Sequence, residues 1–412
     1  MLTEGLIVGT VAYLYLEWDK IVFRRRWRGI TSCNNKFTNN LGKTLKILKI
    51  NREPYGFKLE IELPYGYTLD NLENDIEIFR EGLHFDSIQI ENNYNVITLY
   101  CVKKYNFKDY KPMKLPPNKL LIADGLTNPI IVDMNNFPHI IIGGDTGTGK
   151  SRILLLILTN IIKYCTNVDI YLLQVRKNDL GVFNNCKQVK VNSKSMEEVL
   201  DSLEAIDMEC RRREILVDNT KGYYNIEDYN NKSGNKKMNY IYVVIEEFSF
   251  LNINRGDSKE EKKIKSMCLK HVKTIVNVGR SSGVFLITAL QKPTNDSIPS
   301  DIKAQLCTRV SLLIKDAPSA RVILGNENNT KLCNREVIVR TLREQKGYSY
   351  TITHDIIKEN IKLMEVSKIK NNNNNNNKNV NRNNKNEENI NTKTTMDNLS
   401  EIMEVLNKNE TN

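Results

Sequence analysis

The sequence has little of what builds metal or disulfide scaffolds. Its eight cysteines (Cys33, Cys101, Cys165, Cys186, Cys210, Cys268, Cys307, Cys333) form no CxxC pair, and several lie inside apolar runs. That pattern excludes a disulfide framework and fits buried free thiols in a reducing compartment. The four histidines (His84, His139, His271, His354) are scattered without zinc-ligand spacing, and His271 falls on the apolar face of a predicted helix as a core residue. There is no internal repeat. The N-terminal apolar run, Gly5–Leu16, is short of the ~20 residues a spanning helix needs, and extending it to Phe23 takes in three charges. A secretory signal is also excluded, because the basic cluster follows the apolar run and no small-residue cleavage site appears.

What is present begins with charge. The 412 residues carry a net charge of +11, with 26% charged and 40% hydrophobic residues. This allows one large core with a small accessory domain and favours a polyanionic partner, nucleic acid or an anionic membrane surface. Residues 1–30 combine the short apolar run with Arg24, Arg25, Arg26 and Arg28 beside Trp18 and Trp27. They read either as an anchor at the cytoplasmic face of the membrane or as a buried N-terminal helix with a solvated basic end. Residues 40–115 form a small α+β domain. KILKI, FKLEIEL and NVITLYCV alternate like strands, and Leu69–Glu81 has helical spacing. Pro112, Pro116 and Pro117 punctuate the link onward.

Residues 116–365 alternate strands and helices. The runs at 139–142, 168–174, 240–245, 284–290 and 309–314 suit strands buried on both faces of a mostly parallel sheet. Ile153–Leu158 is apolar all round and predicts a buried helix. Another helix places Ile264, Met267, Cys268, His271, Val272, Ile275 and Val276 on one face. The expected class is α/β, a doubly wound domain with a mostly parallel sheet. Residues 366–412 contain seven consecutive asparagines and predict a disordered tail, with Met396–Leu406 as a short terminal helix.

The chemistry lies at Gly144-Asp145-Thr146-Gly147-Thr148-Gly149-Lys150-Ser151, which fits G-x-x-x-x-G-K-[ST] between a predicted strand and a predicted helix. The glycines let successive N–H groups face phosphates, and the helix N-terminus adds its positive end. Lys150 is expected on the β- and γ-phosphates of ATP, and the Ser151 hydroxyl on Mg²⁺. The apolar strand from Tyr240 ends in Glu246 and Glu247. The first is expected to hold Mg²⁺, and the second to orient and activate the attacking water. Gln291 ends another apolar strand, where its amide can sense the γ-phosphate.

These residues resemble the FtsK/SpoIIIE motor ATPases, P-loop proteins of RecA-like fold, from about Asn118 to Tyr350. The similar stretches are Phe137–Ser151, Met208–Arg212, Asn225–Asn230, Gly283–Pro293, Ile302–Ala304, Thr308–Val310 and Ala320–Gly325. The resemblance implies a homo-hexameric ring that pulls DNA through its pore by backbone contacts. It also implies an arginine acting on the neighbour's ATP site, for which Arg309 and Arg321 are the candidates. One departure is Glu246 where the family usually has Asp, which adds a methylene near the metal. No counterpart of the family's multi-span membrane domain or winged-helix module is read. The expectation is therefore a coupling ATPase like those of conjugative elements and plasmids in low-GC bacteria, which join transferred DNA to membrane and conjugation-machinery proteins. A partition motor, an ATPase of a protein export machine and a non-motor ATP-binding scaffold are the alternatives.

Overall fold

The protein is described by a computed structural model covering residues 2–364, apart from 34, 94–95, 176–177, 220–221, 233–236, 292, 295 and 334. Side chains are described from residue 17 onward, except at 93 and 363. The expected Asn-rich tail and terminal helix lie outside these residues.

The chain opens with α1 (Leu2–Cys33), then β1 (Lys46–Glu53), β2 (Gly56–Glu62), α2 (Leu69–Leu83), β3 (Ser87–Asn93) and β4 (Val96–Val102). The four strands pair antiparallel in the order β1-β2-β4-β3. Thr68 caps α2 by accepting from Asn71 N–H, and His84 closes it in the left-handed region at φ 60°. The core of this unit reaches back into α1. Phe23 and Trp27 are buried with Leu59, Leu72, Phe79 and Leu99, and the Trp27 indole donates to the Leu45 carbonyl at 3.0 Å. Arg25, Arg26 and Arg28 remain exposed, as does Trp18. The part of the basic, tryptophan-bearing segment that holds Phe23 and Trp27 is thus packed into the core of the small unit. Among the described residues no helix is long and apolar enough to cross a membrane.

The second part runs β5 (Lys119–Gly125), β6 (Pro129–Asp133), β7 (Ile140–Gly144), α3 (Lys150–Tyr164), β8 (Val168–Leu173), β9 (Val189–Ser193), α4 (Met196–Asp218) and α5 (Ile226–Lys232). It continues with β10 (Tyr240–Ile245), α6 (Lys259–Ser282), β11 (Val284–Gln291), α7 (Ser300–Gln305), β12 (Thr308–Ser311), α8 (Ala317–Leu324), β13 (Glu336–Arg340), β14 (Glu344–Tyr348) and α9 (His354–Ile361). One sheet of ten strands has the order β6-β5-β14-β13-β12-β7-β11-β10-β8-β9. The pairs from β12 to β9 are parallel, and β13, β14, β5 and β6 extend the sheet antiparallel.

The parallel strands are buried on both faces because helices cover both. Along β10, Tyr240, Tyr242 and Val244 join the core beneath α3 and α9, while Ile241, Val243 and Ile245 join the core beneath α4, α6, α7 and α8. The helix α3, with its apolar stretch Ile153–Leu158, is roofed by the segment leading out of the small unit. There the Asn160 side chain accepts from the Tyr110 hydroxyl at 3.0 Å and from Met113 N–H at 2.8 Å. On α6, Cys268, Val272, Ile275 and Val276 are buried as expected, but Met267 is 36% exposed at the edge of the stripe. His271 is not purely a core residue: its Nδ1 lies 2.8 Å from Asp207 on α4 and ties the two helices together. The two sheets touch where Lys346 on β14 donates to the Ser87 hydroxyl at 3.1 Å.

Candidate nucleotide site

The expected site residues meet at the C-terminal end of the parallel strands, the end where open α/β sheets bind ligands. Gly144 closes β7, and Lys150 opens α3 after a loop in which Gly147 and Gly149 take φ of 82° and 114°. A side chain at Gly144 would meet Thr148 Oγ1 at 2.6 Å and Leu312 Cβ at 3.0 Å, so the tight turn requires glycine there. Thr146 and Gly147 form the exposed tip, and the Thr148 hydroxyl donates to the Asp145 carbonyl at 2.7 Å. Lys150 is buried, with Nζ donating to the carbonyls of Gly144 at 2.6 Å and Asp145 at 2.8 Å.

The start of α3 is built to receive an anion. The helices α2, α4, α6, α8 and α9 each have a side-chain N-cap, from Thr68, Ser195, Ser258, Asp316 and Thr353. At α3 the N-cap is Gly149, which makes no side-chain bond to the helix. The first turn, at the positive end of the helix dipole, thus carries no side-chain cap that would stand in the way of an anion. This cradle, with a lysine and a serine in the first turn of α3, fits a phosphate chain and its Mg²⁺.

β11 separates the phosphate loop from the carboxylates and links them. In the pairing of β7 with β11, Gln291 sits opposite Gly144. The Gln291 backbone N–H is held by both carboxylate oxygens of Glu247, at 3.2 and 3.1 Å, and the Ser249 hydroxyl donates to Glu247 Oε1 at 2.9 Å. Glu246 and Glu247 are both buried at the end of β10. Glu247 is therefore fixed in orientation beside the strand end that carries the loop, while the Gln291 side chain is exposed.

The two arginines lie apart from this cluster. Arg309 on β12 donates to the Ile323 carbonyl at 3.0 Å, and Arg340 donates to the Leu324 carbonyl. Together they satisfy the C-terminal carbonyls of α8 and complement its dipole. Burial and the neighbouring Arg340 hold the Arg309 pKa below its ordinary value. Arg321 is exposed and pairs with Glu327.

Sequence reasoning missed the other wall of the site. The turn after β12 is stitched to the loop, with Asp145 N–H donating to the Leu313 carbonyl at 2.9 Å and Lys315 N–H to Asp145 Oδ2 at 3.1 Å. Leu312, Leu313, Lys315, Cys333, Arg335 and Glu336 line a cavity of about 260 Å³ against Asp145–Thr148. These residues share no local pattern. They meet only because β12 pairs with β7 and β13 with β12.

A doubly wound sheet, a glycine loop feeding an uncapped helix and a carboxylate pair one strand away define a P-loop nucleotide-binding protein. The chain belongs to the FtsK/SpoIIIE family, a family of P-loop ATPases whose profile matches residues 108–335. The DNA translocase FtsK of Staphylococcus epidermidis is 25% identical over 320 residues, which cover 72% of this chain and 39% of that protein. The DNA translocase FtsK of Campylobacter jejuni is 27% identical over 260 residues, covering 60% and 26%. The chain thus spans about two fifths or less of these relatives. Among solved structures, the pCW3 conjugation coupling protein TcpA, in a monomer form with ATPγS, has the same fold at 18% identity. Its TM-score is 0.61, with 83% of this chain and 99% of that one covered. The cytoplasmic domain of the Type VII secretion ATPase EccC of Thermomonospora curvata matches at 18% identity with a TM-score of 0.51, covering 63% and 32%.

Proposed function

We propose that this chain is an ATP-driven DNA translocase, working as a homo-hexameric ring and coupling DNA to a conjugative transfer channel. The observation that carries the reading is the register of β11, which sets Gln291 beside Gly144 and locks its N–H onto Glu247. A change at the phosphate loop is one strand away from the group that orients water. On this reading Lys150 leaves its own loop carbonyls for the β- and γ-phosphates, and Glu247 directs the attacking water. Ser151 and Glu246 would hold Mg²⁺, which supplies neutralisation of phosphate charge. The Gln291 amide reports on the γ-phosphate. Arg309 or Arg321 would serve the neighbouring subunit, and exposed Arg321 is the better placed because Arg309 already closes α8.

The DNA substrate is supported by the family and by the named activity of the FtsK relatives. The conjugative route is supported by a fold likeness to TcpA that covers more of this chain than the family profile does. The likeness to EccC favours a protein export ATPase as the second reading. An N-terminal anchor at the cytoplasmic face of the membrane belongs to the proposal too, and would involve α1 before Phe23.

Titrating duplex DNA against the full chain at several salt concentrations tests the substrate. Backbone contacts predict a steep, weakly sequence-dependent loss of affinity with salt, each neutralised phosphate contributing a slope of roughly −0.9 in log–log form. A flat dependence would favour the export reading.

A further inference from the structure

The cavity beside the phosphate loop lies on the side away from the carboxylates. β7 has β11 and then β10, with Glu246 and Glu247 at its end, on one side, and β12 and then β13 on the other. A nucleotide whose terminal phosphate faces those carboxylates must send its nucleoside toward β12 and β13. There Leu312 and Leu313 give an apolar surface, and Lys315 and Arg335 bring cationic side chains. Both Glu336 oxygens are engaged: Oε1 pairs with Lys346 at 3.0 Å and Oε2 accepts from Cys333 N–H at 2.7 Å. At about 260 Å³ the cavity is below the roughly 300–1,000 Å³ usual for drug-sized ligands. That size suits a single flat ring system open to the loop.

Arg335 is the unusual residue of this wall. It takes φ 67°, a left-handed conformation that a non-glycine residue holds only when its surroundings impose it. They do so here. Nη2 donates to the Ser349 carbonyl and to Thr351 Oγ1, both at 2.9 Å, and the guanidinium carbon stands 4.0 Å from the centre of the Phe107 ring. Phe107 backs the guanidinium without itself lining the cavity. The plane is therefore fixed in advance, and a guanidinium plane stacks well on aromatic rings.

We propose that this cavity receives the purine base and that Arg335, backed by Phe107, is its stacking plate, a determinant of nucleoside binding distinct from phosphate binding. The proposal rests on the nucleotide reading above and names the residue that would discriminate within it.

The test is displacement of a fluorescent ADP from the full chain by ADP and, separately, by inorganic tripolyphosphate. Arg335→Ala should weaken ADP by about 5- to 30-fold while leaving tripolyphosphate within about twofold of wild type. Arg335→Lys keeps the cation but not the plane. It should show the same ADP-selective loss in smaller degree, and it serves in place of the alanine variant should that one fail to fold. Unchanged ADP affinity, or equal losses for ADP and tripolyphosphate, would overturn the proposal. Wild-type protein that bound neither competitor would instead remove the nucleotide reading itself.

Discussion

His139 and Gly144 bracket β7, and the two ends of this strand make different physical demands. His139 sits in the left-handed region at φ 60°, is 1% exposed, and accepts from Leu286 N–H at 3.0 Å through Nδ1. Burial lowers its pKa to about 4 from an ordinary 6.5. Above pH 6.5 the ring is neutral folded or unfolded, and its contribution to stability is fully present. Between 6.5 and 4 the unfolded chain takes up the proton first, so stability falls with falling pH, by about 3 kcal/mol in all. Thermal melts should therefore drop more between pH 7.5 and 5 for the wild type than for His139→Gln. Equal drops would refute the assignment. The phosphate loop at the other end was fully legible in the sequence, because its eight residues are contiguous and each type has a local reason. Arg335 was not legible, because Phe107, Ser349 and Thr351, which fix it, come from segments on either side of the ATPase core.

At the scale of elements, the parallel strands were readable because burial on both faces makes continuous apolar runs. The antiparallel extension was not: β14 is EQKGY, with only its last two residues buried, and it earns its place through pairing with β13 and β5. For the N-terminal segment the sequence left two readings open, a membrane anchor and a buried helix with a solvated basic end. Phe23 and Trp27 recur at helical spacing, but arginines between them dominate the local composition and suggest a solvated boundary. In the structure the Trp27 ring lies 4.7 Å from Phe79, centre to centre, inside the small unit. Trp27→Ala should cost about 3–5 kcal/mol in urea unfolding of that unit. A chain starting at residue 31 should be destabilised relative to one starting at residue 17. Equal stability of the two would show that α1 is not part of this core.

At the scale of the whole molecule, a basic chain of an ATPase family carries its phosphate loop and its carboxylates on either side of β11. The fold class was expected from the sequence, whereas the docking of the small unit on β14 through Lys346 and Ser87 was not. That contact pairs two polar residues of no distinctive local context. The central claim is that nucleotide chemistry here serves movement of DNA. The most direct measurement is ATP turnover by the full chain with and without duplex DNA, beside Lys150→Ala. The account predicts strong stimulation by DNA, lost at least 100-fold in the variant, as expected when a main electrostatic contact to the transferred phosphoryl group is removed (about 10²–10³). Turnover that depends on Lys150 but is indifferent to DNA would contradict it.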